Sequence, residues 1–223
     1  VIPLRDKLSS RNIPVITLVL VSLNILIFFW DHQWRLNSAN IVFADLTMRP
    51  NRVIESLSGA PDKFALVTVF TSMFMHGNAV HLLGNLIFLL VFGPGIEQTI
   101  GAWRFSLYYF GWGIVATAVQ IFVNPISNTP TLGASGAIGG VLGTYFLLFP
   151  TSVIELLIFP FVFRPIPIVA WKLLGFWFLF QVFVPQEGVA NWAHVGGFLA
   201  GMLTVLAMGG RDKIIKTPDA IHE

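Results

Sequence analysis

Cysteine is absent from the 223 residues, which rules out disulfides, thiol nucleophiles and cysteine-ligated metals. Charge is scarce as well. Asp, Glu, Lys and Arg make up 11% of the chain against 55% hydrophobic residues, whereas a soluble domain is roughly a quarter charged. The net charge of +2 is too small and too scattered for a nucleic-acid surface. No His-Glu-x-x-His occurs, which excludes the zinc hydrolases built on that helix motif, and no metal or cofactor is expected. There is no Asn-x-Ser/Thr sequon, and the length leaves room for one compact bundle.

What is present is apolar sequence in long runs, with a mean hydropathy of +0.77. Lipid is the solvent such a chain requires. A bilayer core about 30 Å thick takes roughly 20 apolar residues per helix, which predicts spans at 13–30, 79–97, 103–123, 135–149, 166–184 and 191–208. The first run, from Ile13 to Trp30, lacks a small-residue cleavage site and reads as a retained span, not a signal peptide. Phe64–Met75 is broken from the next run by Gly77-Asn78 and reads as interfacial or packed within the protein. Residues 151–165, interrupted by Pro160 and Pro165, are not counted as a span. Asp6, Asp31, Asp45, Asp62, Asp212 and Asp219 fall outside the spans, so an aspartyl pair inside the membrane is excluded.

Basic residues set the orientation. Arg5, Lys7 and Arg11 precede the first span, Arg211, Lys213 and Lys216 follow the last, and Arg104 and Arg164 lie in connections on the same side. Both termini are therefore expected in the cytoplasm, which needs an even number of spans, and six satisfies it. The expected organisation is a cytoplasmic segment at 1–12, a membrane domain at 13–208 and a cytoplasmic tail at 209–223. The fold class expected is an all-α membrane protein, a bundle of six transmembrane helices.

Polar groups inside spans need a reason. His81 and Asn85 in the second span, Ser135 opening the fourth and His194 early in the sixth all lie near the outer ends of even-numbered spans. They share one depth. Ser135 to Phe149 is 15 residues, about 22 Å of helix, so a helix reaching the cytoplasmic face starts below the outer surface. Ser135 sits in Gly133-Ala134-Ser135-Gly136, in a first turn whose backbone N–H groups are free to meet a developing oxyanion. A serine hydroxyl needs a base within reach, and His194 can supply one. His81 and Asn85, four apart, share a helix face and can donate toward one point. Gly136 and Gly140, like Gly197 and Gly201, form Gly-x-x-x-Gly faces that let helices approach closely. Gly-x-Ser-Gly alone is equally a packing pattern; the joint placement is what points to acyl transfer. A small transporter also carries polar groups at depth, but no internal repeat is evident.

These residues resemble the rhomboid family of intramembrane serine proteases. The resemblance rests on Gly133-Ala134-Ser135-Gly136, on His81-Leu82-Leu83-Gly84-Asn85 and on Ala193-His194-Val195-Gly196-Gly197 with Gly201, in that topology. It implies a six-span fold in which Ser135 is the nucleophile and His194 the general base. The Ser135 N–H, His81 and Asn85 would form an oxyanion hole, with His76 and Glu97 as structural supports. Its partners would be transmembrane protein substrates in the lipid bilayer, not nucleic acid, and a bacterial plasma membrane is the expected location. An inactive relative that binds membrane clients is the other reading within the fold. The chain departs from many members in having Gly139 where a tyrosine packs on the histidine. Trp34-Arg35 comes too early for the family's Trp-Arg pair.

Overall fold

The apolar runs become helices, and the interrupted ones become something else. In the computed structural model, residues 2–6, 13–35, 42–157 and 164–215 are described. Lys7, Arg11, Pro160, Lys216 and Asp219 of the sequence reading lie outside these residues. In chain order the helices are α1 (Val15–Asp31), α2 (Pro50–Leu57), α3 (Phe64–Thr71), α4 (Ala79–Ile100), α5 (Ala102–Val123), α6 (Ser135–Leu148), α7 (Ala170–Phe183), α8 (Asn191–Ala207) and α9 (Arg211–Ile215). By length and composition α4 and α5 are long and apolar enough to cross a membrane. Helices α1, α6, α7 and α8 are apolar but shorter, and many of the bundle's large side chains, among them Leu83, Leu107, Phe176 and Leu203, point outward exposed.

Helix α6 is the axis. Every residue from Ala137 to Tyr145 is buried, as is Leu148, because α4, α5, α7 and α8 pack around it. Its composition of glycine and aliphatic residues suits a helix enclosed on all sides. Helix α4 opens on Asn78, whose side chain accepts from the His81 N–H at 2.8 Å, so Gly77-Asn78 does separate it from the preceding segment. That segment is α3 followed by a 3₁₀ turn, Ser72–Phe74, with Ser72, Met73 and Phe74 buried. It packs within the protein.

Two expectations need correction. The fold is not all-α: β1 (Ile2–Asp6), β2 (Val153–Leu157) and β3 (Ile166–Val169) form an antiparallel sheet in the order β1-β2-β3. The stretch 166–184 is therefore not one helix, since its first four residues are β3 and α7 starts at Ala170. The reason is pattern. In β2 the buried Ile154 and Leu156 alternate with Glu155, which pairs with Arg5 of β1. Pro3 and Pro167, which cannot donate to a ladder, both sit on edge strands. Within the segment ahead of α1, residues 2–6 are β1.

Candidate active site

Gly133 turns the chain into α6. Its φ is +116°, a conformation that side chains disfavour, and its N–H donates to the Ser72 carbonyl at 2.9 Å. Ser135 is thereby the first residue of α6, where backbone N–H groups have no partner within the helix. His194 stands in the first turn of α8. The two helices meet so closely that Ser135 Oγ and His194 Nε2 are 2.8 Å apart.

Glycines permit this approach. A Cβ on Gly139 would come within 2.8 Å of the His194 carbonyl, and one on Gly143 within 1.9 Å of the Phe198 carbonyl. The first of these accounts for the missing tyrosine: the α8 backbone occupies the space that a side chain at 139 would need.

The His194 ring is oriented from α7. Its Nδ1 lies 2.8 Å from Gln181 Oε1, and the Trp177 ring stands 5.7 Å away, tilted by 34°. A side-chain carbonyl only accepts, so Nδ1 carries the proton and Nε2 is left to accept from the Ser135 hydroxyl. Gln181 was missed in the sequence reading. The signal was available, as a lone amide among the apolar residues 173–184.

His81 and Asn85 face the turn before Ser135. A Cβ built on Gly133 would lie 2.7 Å from His81 Nε2 and 3.5 Å from Asn85 Nδ2. Asn85 is buried, and among the described residues its Nδ2 has no hydrogen-bond partner. His81, Asn85, Ser135, Trp177, Gln181 and His194 all line one cavity of about 520 Å³.

The other two residues singled out lie apart from this cavity. His76 is fully buried, stands edge-on to His81 with ring centroids 5.1 Å apart, and donates from Nδ1 to the Phe74 carbonyl at 3.2 Å. Burial, and then the nearby His81, push its pKa down from 6.5 to about 3, so the ring is neutral. Glu97 lies in the last turn of α4 and accepts from the N–H groups of Ile16 and Thr17 and from Thr17 Oγ1, each at 2.8 Å. Its carboxylate caps the start of α1.

The chain is similar to known proteins. The Rhomboid domain model matches residues 63–211. The mitochondrial rhomboid protein 1 of Saccharomyces cerevisiae is 32% identical over 148 residues, 61% of this chain and 40% of that protein. A putative rhomboid protease of Bacillus subtilis is 34% identical over 80 residues, 36% of this chain and 40% of the relative. A rhomboid protease of Providencia stuartii is 29% identical over 221 residues, 86% of this chain and 72% of that protein. The chain thus spans about two fifths of the first two relatives and most of the third. The matched domain contains Ser135, His194 and the helices that bring them together, and the chain belongs to the rhomboid family, a family of helical integral membrane proteins.

Proposed function

We propose that this protein is an intramembrane serine endopeptidase that cuts transmembrane segments of other membrane proteins through a Ser135–His194 dyad. The observation that carries the reading is the 2.8 Å contact between Ser135 Oγ and His194 Nε2 in a cavity that His81, Asn85 and Gln181 also line. His194 Nε2 takes the hydroxyl proton as Ser135 Oγ bonds to the scissile carbonyl carbon. The resulting oxyanion is met by the Ser135 N–H, by Asn85 Nδ2 and by the His81 ring. His194 then returns the proton to the departing amine, and an acyl-enzyme remains on Ser135. Water, deprotonated by the same nitrogen, adds to the ester and releases the second product. Asn85 supports the oxyanion role most directly: a buried amide donor without a partner is expensive unless a ligand arrives to accept it.

The packing supports one route for the substrate. Helix α7 packs on α6 and α8 but scarcely touches α4. An apolar cavity of about 250 Å³ lies between α4 and α7, lined by Phe88, Leu173, Trp177 and Phe180 and floored by Leu156 and Ile168. A transmembrane segment would reach Ser135 along this opening. We infer six crossings, made by α1, α4, α5, α6, α7 and α8, within a membrane domain at 13–208. Both termini would face the cytoplasm of a bacterial cell, with the site toward the outer side of the plasma membrane.

The test is cleavage of a model transmembrane substrate in proteoliposomes, with a fluorophosphonate probe on the purified protein. Ser135→Ala is expected to stay folded while losing both cleavage and labelling. Cleavage retained by Ser135→Ala refutes the protease reading, and folded wild-type protein that neither cleaves nor labels points to the client-binding alternative.

A further inference from the structure

Helix α7 carries a single amide, Gln181, and the residue is only 7% exposed. An amide in an apolar helix is tolerated where its hydrogen bonds are met inside the protein. Those of Gln181 Oε1 are met twice. It accepts from His194 Nδ1 at 2.8 Å and from Asn191 Nδ2 at 3.1 Å. A carbonyl oxygen has two lone pairs, so these two donors fill it.

Asn191 holds the acceptor in place. It opens α8 three residues before His194, and its amide also lies 3.3 Å from the Gln181 backbone carbonyl and 3.4 Å from that of Val184. Its own Oδ1 accepts from the Gln186 N–H at 3.2 Å. The connection from α7 to α8 is stapled at both ends, and Gln181 is fixed against the histidine ring.

We propose that Gln181 is the positioning residue of the base, its side-chain carbonyl holding His194 with the proton on Nδ1 and the lone pair of Nε2 aimed at Ser135. This rests on the Ser135–His194 reading. It puts a neutral amide where many serine hydrolases use a carboxylate, and the choice fits the surroundings. A carboxylate there would be a charge in an apolar helix, whereas an amide orients the ring without that desolvation. It also places the orienting group on α7, the helix beside the opening toward α4. The base is aligned while α7 is seated against α8.

The test uses the full chain in nanodiscs with three readouts: the rate of Ser135 labelling by a fluorophosphonate, kcat and KM on a model substrate, and nitrogen NMR of the His194 ring. Gln181→Leu removes the acceptor and keeps the helix apolar. It is expected to slow labelling and kcat by about 10–100-fold, the rate equivalent of one strong hydrogen bond, to leave KM unchanged, and to give a ring with both tautomers populated. Gln181→Glu, which still accepts, should recover most of the labelling rate and the single tautomer. If Gln181→Leu fails to fold, Gln181→Asn, one methylene too short to reach the ring, takes its place with the same expectation. A Gln181→Leu protein with wild-type labelling and one tautomer overturns the proposal. So does equal impairment of the Leu and Glu variants when both keep a single His194 tautomer, which marks a packing role. If the wild type itself is not labelled at Ser135, it is the protease reading that falls, and the tautomer spectrum still decides whether Gln181 sets the ring.

Discussion

The backbone oxygen of Gly136 occupies the place where a side chain at Gly197 would begin, since a Cβ there would stand 1.9 Å from it. One turn on, the relation repeats between Gly201 and the Gly140 oxygen at 2.0 Å. Helices α6 and α8 thus touch backbone to backbone just below the Ser135–His194 pair, and Thr144 Oγ1 donates to the Gly201 carbonyl at 3.2 Å.

Any Cβ in this contact pushes the helices apart. Gly201→Ala is expected to lose about 1–3 kcal/mol, the usual range for overpacking, and Gly201→Leu to lose both thermal stability and proteolysis. Gly111 in α5 provides the contrast, because nothing lies within 4 Å of its added Cβ. Gly111→Ala should be neutral or stabilising by up to about 1 kcal/mol. Thermal unfolding together with a cleavage assay decides the matter, and a Gly201→Leu protein that cleaves at the normal rate rejects the link between this contact and the dyad.

Asn85 makes a different demand. Its Nδ2 finds no partner among the described residues, so replacing it removes an unmet donor and breaks no bond at that atom. Asn85→Ala is expected to lower kcat by about 10²–10³ while KM and the melting temperature hold steady. His81→Ala should act in the same direction. A loss of stability with turnover intact would mark either residue as a packing group.

The limits of the sequence reading follow from how far each signal reaches. The apolar helices and the grouping of His81, Asn85, Ser135 and His194 around one cavity were legible because hydropathy and charge bias are summed over whole segments. The glycine spacing on α6 and α8 was legible because it repeats with the helix turn. The sheet was not. Its β1–β2 register joins Ile2 to Leu157 and Asp6 to Ile154, a pairing across the whole chain that no local pattern announces. Gln181 stood out as an amide in an apolar run, but its contact with His194 did not, because that depends on the return of the chain through 184–190. Gly139 was read as a departure from the family's tyrosine that left the support of the His194 ring open, whereas the close α8 backbone and the support from α7 are properties of packing alone.

Glu97 holds α1 to α4 through three donors at one carboxylate, in a position only 4% exposed. Gly93, one turn earlier on α4, comes close to the Thr17 side chain, at 3.0 Å from an added Cβ. Glu97→Ala leaves the part-buried Ile16 N–H and the buried Thr17 N–H unmet at the helix start, each worth about 1–3 kcal/mol. The expected result is a large drop in melting temperature, with Glu97→Gln in between. Protein that remains folded should still be labelled at Ser135, because Glu97 lies outside the catalytic cavity. An unchanged melting temperature for Glu97→Ala would reject its role as a cap.

Asp6 ties the far end of the bundle together. Its carboxylate accepts from the hydroxyl of Tyr145, a fully buried residue of α6, and from Ser152 Oγ at 2.6 Å. The Ser152 carbonyl in turn accepts from the Ala170 N–H, the first residue of α7, at 2.8 Å. Strand β1 also packs on α4, so the sheet joins α4 to α7 at one end of a cleft where the helices themselves scarcely meet. Removing the carboxylate leaves two hydroxyls without their acceptor, one of them on a core side chain. Asp6→Ala is expected to destabilise by about 1–3 kcal/mol and to speed amide exchange in β2, β3 and the first turn of α7, with α5 unaffected. Asp6→Asn retains one acceptor oxygen and should fall between. Exchange rates at Ala170 and Trp171 are the measurement to make: if Asp6→Ala leaves them unchanged, strand β1 does not hold α7, and the sheet is only a floor to the cleft.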